Sequence, residues 1–345
     1  MARWAVSGGS GFLGLHLLRR LLAGGHEVCS LDLEPLDAEL LAAGARGLVG
    51  DIRDPRAAVA VCAGAQVLVH TAAALPIRGS EATIRSVGVG GTATLLAAAA
   101  DAGVRRVIFV SSAVVYGLPR TLPLTEVVTP DPFEPYGETK LEAEAICHAL
   151  GRRGLETVVL RPTAFIGPGR LGAFGILFLW IREGRRIYTL GPGVNRYQLL
   201  DVGDLVEAIL LAGEHAEAAG RTFVLGAAAV APVREELDAL IAHAGSASRV
   251  TPVPAGAARS ALAALSLLRL SPLSQWHYRT ADKDFFVDSS AAQSILGWKA
   301  ERSTLETLIR AYDWCATHRA PERAGSSTHR VRWDERALGL VRRLS

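Results

Sequence analysis

Tyr136 and Lys140 stand four residues apart at the head of Tyr136-Gly137-Glu138-Thr139-Lys140-Leu141-Glu142-Ala143-Glu144-Ala145, a run that reads as helix. At that spacing the two side chains share a helix face, one turn removed. A phenol is a poor base near neutrality, with a reference pKa of about 10. An ammonium held beside it favours the phenolate and brings proton transfer within reach. Alone, the pair fits equally well on the solvated face of an amphipathic helix, so its meaning depends on what the chain places beside it. Upstream, Val107-Ile108-Phe109-Val110 is a short apolar run closed by Ser111 and Ser112. It reads as a fully buried strand whose C-terminal end presents hydroxyls to the crevice where open α/β sheets take ligands. A serine there would donate a hydrogen bond to a substrate oxygen while Tyr136 handles its proton. Serine, tyrosine and lysine in these contexts are more specific together than any one of them.

The elements that must position these groups begin with Trp4-Ala5-Val6, a short buried strand, followed by Ser7-Gly8-Gly9-Ser10-Gly11-Phe12-Leu13-Gly14 and a helix over 15–23. Strand, glycine loop and helix in that order form the context in which such a loop binds phosphate. Gly8, Gly11 and Gly14 allow a tight turn and the close approach of a pyrophosphate to backbone amides at the helix N-terminus, where Phe12 and Leu13 lie. The spacing is GxxGxxG rather than GxGxxG. The next strand, Glu27-Val28-Cys29-Ser30-Leu31, ends at Asp32, about 20 residues past the loop. A carboxylate there accepts from a ribose diol and repels a 2′-phosphate, which favours NAD over NADP. Arg46 and Arg53 are the residues that could complicate this preference. After a third strand, Asp51 is placed to accept from an adenine amino group, with Ile52 against the ring. Val67-Leu68-Val69-His70-Thr71-Ala72-Ala73 is a strand whose small terminal residues leave room for a cofactor, and His70 reads as a satisfied core histidine. A helix over 81–102, interrupted around Gly88-Val89-Gly90-Gly91-Thr92, completes four βα units. Such repetition specifies a parallel, doubly wound α/β sheet.

Residues 121–135 are proline-rich and irregular, and deliver the chain to Tyr136. A strand over 156–160 leads into Arg161-Pro162-Thr163-Ala164-Phe165-Ile166-Gly167-Pro168. Beyond it the expected elements are helices over 171–182, 205–212, 233–244, 257–270 and 303–318, and strands over 187–190 and 221–225. Asp201-Val202-Gly203-Asp204 caps the helix that follows.

The composition sets limits. A chain of 345 residues can bury a sizeable core. A net charge of +3, from 37 basic and 34 acidic residues, is too balanced for a nucleic-acid binder. Cys29, Cys62, Cys147 and Cys315 are scattered without a CxxC pair, which reads as reduced thiols in a cytoplasm, with no metal site. No signal peptide precedes the first strand, and the longest apolar stretches fall short of the ~20 residues that span a bilayer.

Together these residues resemble the extended short-chain dehydrogenase/reductases, the NAD-dependent epimerase/dehydratase group, over roughly residues 3–318. The resemblance places the glycine loop at Gly8, Gly11 and Gly14, the adenine-side pair at Asp51-Ile52 and the nicotinamide-side strand end at Thr71, Ala72 and Ala73. It adds Ser111, Pro162 and Thr163 to the cofactor contacts, beside Tyr136 and Lys140, which carry the YxxxK motif. It implies Ser112 as catalytic serine, a homodimer through the helices over 81–102 and 136–150, and substrate contacts at Ala74, Ser112, Ala113, Tyr116, Ala164, Arg196 and Tyr197. Sugar-nucleotide relatives usually carry asparagine where this chain has Ala164, and an arginine near Tyr197 to hold a diphosphate; Arg196 is one residue off. The C-terminal part, with Phe165, Phe174, Leu177, Phe178, Trp180 and an apolar helix before Phe285-Phe286-Val287-Asp288, looks like the hydroxysteroid-dehydrogenase-like branch.

The expected organisation is therefore a nucleotide domain over 1–167, rejoined by 198–226, with a substrate cap from 168–197 and 227–318. Residues 319–345 form a basic tail that reads as solvated or chain-packed rather than membrane-attached. The expected chemistry is hydride transfer between nicotinamide and a secondary alcohol or ketone of a fairly apolar small molecule. In it, Tyr136 exchanges the proton, Lys140 lowers its pKa and binds the ribose, and Ser112 orients the oxygen. A sugar-nucleotide epimerase on retained NAD is the alternative.

Overall fold

The computed structural model describes residues 1–74, 80–267, 275–318, 339 and 341–342. Its centre is a seven-stranded, all-parallel sheet. The strands in chain order are β1 (Arg3–Ser7), β2 (Glu27–Asp32), β3 (Arg46–Val49), β4 (Val67–His70), β5 (Arg106–Val110), β6 (Glu156–Pro162), β7 (Ala164–Ile166), β8 (Arg186–Leu190), β9 (Leu199–Asp201), β10 (Thr222–Leu225) and β11 (Arg249–Val253). The main sheet runs β10-β6-β5-β4-β1-β2-β3. The order reverses between β1 and β4, so a crevice opens beyond the carboxyl ends of those two strands.

The helices are α1 (Phe12–Ala23), α2 (Ala38–Ala42), α3 (Pro55–Cys62), α4 (Glu81–Arg85), α5 (Thr92–Asp101), α6 (Pro135–Gly151), α7 (Gly172–Arg182), α8 (Val202–Glu214), α9 (Val233–His243), α10 (Ala255–Leu267), α11 (Gln275–Thr280), α12 (Ser290–Leu296) and α13 (Thr304–Thr317). The sheet is buried on both faces, as the apolar runs of its strands require. Trp4, Val6, Ile108, Val110, Val158 and Leu160 face a core shared with Leu17, Leu18 and Leu21 of α1 and Leu205 and Ile209 of α8. Their neighbours Ala5, Val107, Phe109 and Val159 face the opposite core, with Val61 and Cys62 of α3, Leu95 and Leu96 of α5 and Ala143 and Cys147 of α6.

The expected interruption in the helix over 81–102 is a π-helical turn, Ser86–Gly91, between α4 and α5. Its glycines admit close neighbours: a Cβ on Gly91 would stand 2.6 Å from Ile52 Cδ1, and one on Gly88 would stand 3.2 Å from Thr139. A third apolar cluster joins Ile176, Phe178, Trp180 and Ile181 of α7 to Leu237, Leu240 and Ile241 of α9 and Leu308 and Tyr312 of α13. Phe178 and Trp180 of the expected cap are thus core, while Phe165, Phe174 and Leu177 stay half-buried. β8 and β11 pair beside this cluster, and β7 pairs with β9. The end of the expected helix over 257–270 and most of the tail lie outside the described residues. Where the tail is described, Arg342 donates to Glu183 at the end of α7, at 2.8 and 2.9 Å.

Candidate active site

The glycine loop joins the two sides of the crevice. Gly8 has φ +83, a region that favours glycine. A Cβ there would come within 2.6 Å of Thr71 Oγ1 and 2.8 Å of the Ala72 nitrogen. A Cβ on Gly14 would run into the Gly8 carbonyl, and one on Gly9 into Ser30. α1 follows with Gly11 as its cap, no side-chain hydrogen bond to its first amides and no acid in its first turn. Its N-terminal N–H groups and positive dipole end are left for an anion. Asp32 accepts from the Ser10 nitrogen at 3.0 Å and the Glu34 nitrogen at 3.1 Å, one bond to each oxygen. Burial pushes this carboxyl up while those N–H groups pull it down. Each oxygen keeps a lone pair for a diol.

Asp51 is engaged by Arg53, whose Nε donates to it at 3.0 Å, and Arg53 also reaches Ser86 Oγ at 3.2 Å. That hydrogen-bonded guanidinium holds the Asp51 carboxyl low, and the bond engages Arg53 away from a 2′-phosphate. Ile52 is buried. Ala72 and Ala74 are half-buried, Ala73 is exposed, and Pro162 is buried at the end of β6. Thr163 is 1% exposed, and its hydroxyl has no hydrogen-bond partner among the described residues. Such an orphan costs about 1–3 kcal/mol until something bonds to it. A glycine cradle, an uncapped helix N-terminus, a ribose-side carboxylate and an orphan hydroxyl form a donor set that fits a dinucleotide.

Tyr136 lies in the first turn of α6, half-buried, and Lys140 is buried one turn on. Lys140 Nζ donates to the Val110 carbonyl at 2.8 Å and stands 4.7 Å from the Phe109 ring centre and 5.8 Å from that of Tyr136. Burial pushes the ammonium down to about 8, against the pull of Glu144. Burial likewise pushes the Tyr136 phenol up to about 12; Arg170 opposes the rise and Glu134 adds to it. The expectation that Lys140 lowers this pKa therefore changes: in this structure the opposing cation is Arg170, because Lys140 is turned to the end of β5. Ser112 accepts from the Val114 nitrogen at 3.3 Å and opens the 3₁₀ turn Ala113–Tyr116. Its own O–H remains available to donate.

Several expected contacts are engaged elsewhere. Ser111 Oγ donates to Glu144 at 2.5 Å. Tyr116 donates to the Thr125 carbonyl at 2.9 Å and accepts from Arg161 at 2.8 Å. Arg161 pairs with Glu144 at 2.6 Å, so Ser111 and Tyr116 belong to one buried network that fastens β5, α6 and β6. Ala113 is 1% exposed in a core with Val115, Phe285 and Trp276. Arg196 stacks on Phe286 at 4.1 Å beside Asp284, on the surface. Tyr197 accepts from Trp276 Nε1 at 2.9 Å. Ala164 is half-buried on β7. His70 bonds Ser7 Oγ at 2.7 Å and Thr92 Oγ1 at 2.9 Å, and burial pushes it down to about 3, as suits a core histidine.

Two residues not anticipated from sequence face Tyr136. One is Arg170, whose only sequence signal is a lone arginine after Gly167-Pro168-Gly169. The other is Glu134, a 6%-exposed carboxyl that burial pushes up to about 7.

A parallel doubly wound sheet with a glycine cradle at its switch point and a serine, tyrosine and lysine beyond β5 defines a dinucleotide-dependent oxidoreductase of the short-chain type. The chain belongs to the NAD dependent epimerase/dehydratase family, whose model matches residues 4–226. It is 33% identical to an uncharacterized protein, y4nG, of Sinorhizobium fredii, over 97% of this chain and 84% of that one. It is 32% identical to 4-hydroxy-2-methyl-3-oxo-4-farnesyl-3,4-dihydroquinoline-1-oxide ketoreductase of Stigmatella aurantiaca, over 75% of this chain and 78% of that one. It is 29% identical to UDP-glucose 4-epimerase of Lacticaseibacillus casei, over 91% and 97% of the two chains. Among solved structures, UDP-glucose 4-epimerase of Thermotoga maritima shares the fold, with a TM-score of 0.76 at 23% identity over 90% of this chain and 98% of that one.

Proposed function

We propose that this enzyme is a dehydrogenase or reductase acting on a secondary alcohol or ketone of a fairly apolar small molecule. The observation that carries the reading is Tyr136: its hydroxyl makes no hydrogen bond among the described residues, and Lys140, one turn further along α6, stands 5.8 Å from its ring centre. NAD supplies the hydride acceptor or donor when bound. On the protein side, Tyr136 takes the hydroxyl proton in oxidation and returns it in reduction. Ser112 donates to the same oxygen and fixes its direction. Lys140 is held by the Val110 carbonyl within reach of the ribose side of the crevice.

An apolar substrate is favoured over a sugar nucleotide by Ala164, by the surface position of Arg196 against Phe286, and by Tyr197, which bonds Trp276 and stands near where sugar-nucleotide relatives tend to carry an arginine. The Stigmatella ketoreductase supports the same side. The second reading, a sugar-nucleotide epimerase, is favoured by the nearly full-length similarity to the Lacticaseibacillus enzyme. We also read the protein as a homodimer paired through α4, α5 and α6.

The test is Tyr136→Phe. Turnover on a panel of ketones and sugar nucleotides should fall by about 10²–10⁴-fold while NADH affinity is kept. Near-normal turnover would sink the assignment. Interconversion of UDP-glucose and UDP-galactose by the wild type, on NAD retained through purification, would select the second reading.

A further inference from the structure

Among the described residues, Arg170 is a cation without a counter-ion. Its guanidinium carbon stands 5.5 Å from the Phe12 ring centre and 5.2 Å from that of Phe165, two rings only 12° from parallel. Among the described residues its side chain makes no hydrogen bond and no ion pair. Electrostatically it is coupled to one group, the Tyr136 phenol. The side chain is also aimed by its backbone. Arg170 closes a tight turn by donating its N–H to the Gly167 carbonyl at 3.1 Å, and Gly169 in that turn has φ +90. His16 of α1 bonds the Pro168 carbonyl at 2.8 Å and pins the turn to the cofactor helix.

A guanidinium can be held against aromatic faces at modest cost, but an uncompensated charge beside an apolar wall is expensive unless an anion joins it. Arg170 is half-buried, whereas Arg106 and Arg161, which are buried near the sheet, have carboxylate partners. Arg170 is left without one where a substrate would lie against Tyr136.

We propose that Arg170 is a substrate-binding residue that receives an anionic group, a carboxylate or phosphoryl, carried by the molecule whose oxygen Tyr136 protonates. This deepens the functional reading above and rests on it for the placement of the substrate oxygen. It makes the substrate amphiphilic: an apolar body against Phe165, Phe174 and Leu177, and one anion on Arg170. The cofactor pyrophosphate has the amides of α1, so Arg170 serves the second ligand. A planar, five-donor fork suits carboxylate and phosphoryl oxygens alike.

The experiment uses the whole chain loaded with NADH and follows quenching of bound-nicotinamide fluorescence. The probes are 3-oxooctanoate, its methyl ester, and UDP. The wild type should bind 3-oxooctanoate or UDP at least about tenfold more tightly than the ester, as a charge-assisted bond of this kind confers. Arg170→Met and Arg170→Gln should abolish that preference, Arg170→Lys should keep part of it, and NADH affinity should stay within about threefold of wild type. Whichever anion shows the preference identifies carboxylate or phosphoryl. A wild type that does not distinguish the anions from the ester would overturn the proposal, as would variants that lose NADH affinity, which would assign Arg170 to the cofactor. Tyr136→Phe separates the two ideas: it should lose turnover yet keep the anion preference.

Discussion

At the scale of single residues, the chemistry of the crevice rests on groups that local spacing brings together. Gly8, Gly11 and Gly14 sit in one turn, and Tyr136 and Lys140 in one helical turn, so a short string is enough to place them. Asp32 follows the same logic, because the end of β2 must lie beside the loop that ends β1. Its two backbone bonds fix the carboxylate at the crevice edge. Asp32→Ala should therefore weaken NAD binding by about tenfold or more, since a charged hydrogen bond is worth about 1.5–3 kcal/mol, and should narrow the preference over NADP. Titrating both reduced cofactors against the variant by fluorescence checks this; an unchanged ratio would mean that another group reads the ribose. Arg170 was not legible. Nothing in Gly167-Pro168-Gly169-Arg170 says where its side chain goes, since its meaning comes from Phe12 and Phe165, which only the folded chain brings together.

At the scale of elements, long amphipathic helices and buried central strands declared themselves, while short pieces did not. β7 and β9 are three residues each and exist because they pair with each other. No local pattern marks such a pair, and neither strand would persist alone. α12, seven residues long, is marked by its end, Gly297 in the left-handed conformation, rather than announced by periodicity. Ser111 and Tyr116, which the family resemblance implies as ligand contacts, stand at the strand end where β5, α6 and β6 are tied together. The tie is Glu144, 1% exposed, paired with Arg161 and accepting from Ser111. Glu144→Ala would leave Arg161 buried without its counter-charge and should cost about 3–5 kcal/mol. Adding Arg161→Met should recover much of that loss. Chemical denaturation of the two variants checks the order, and a double variant no more stable than the single one would contradict it.

At the scale of the whole molecule, α6 and α11 meet around Glu134. This carboxyl precedes Tyr136 at the start of α6, accepts from the backbone of Trp276 in α11 and faces Arg279, Tyr136 and Tyr197. Burial pushes it up to about 7; Glu236 at the start of α9, which accepts from the Ala231 nitrogen at 2.9 Å, is likewise pushed up to about 7 by burial. Both folded values lie above the ordinary 4.5 of the unfolded chain. Between those limits the native state keeps protons that the unfolded state has released, so unfolding gains from each step up in pH. These two groups therefore make stability fall as pH rises from about 4.5 to about 7, with no further change from them above that window. The Glu134→Gln, Glu236→Gln double variant removes both titrations. Relative to wild type it should gain on the order of 1–3 kcal/mol per site between pH 4.5 and pH 8, after allowance for relaxation around each carboxyl. Thermal unfolding of the two proteins at both pH values reads this as a difference of differences, which cancels every other titrating group the proteins share. A gap in melting temperature that stays constant with pH would show that the carboxyls are ionised in the folded protein, and that the junction between α6 and α11 holds a charge rather than a proton.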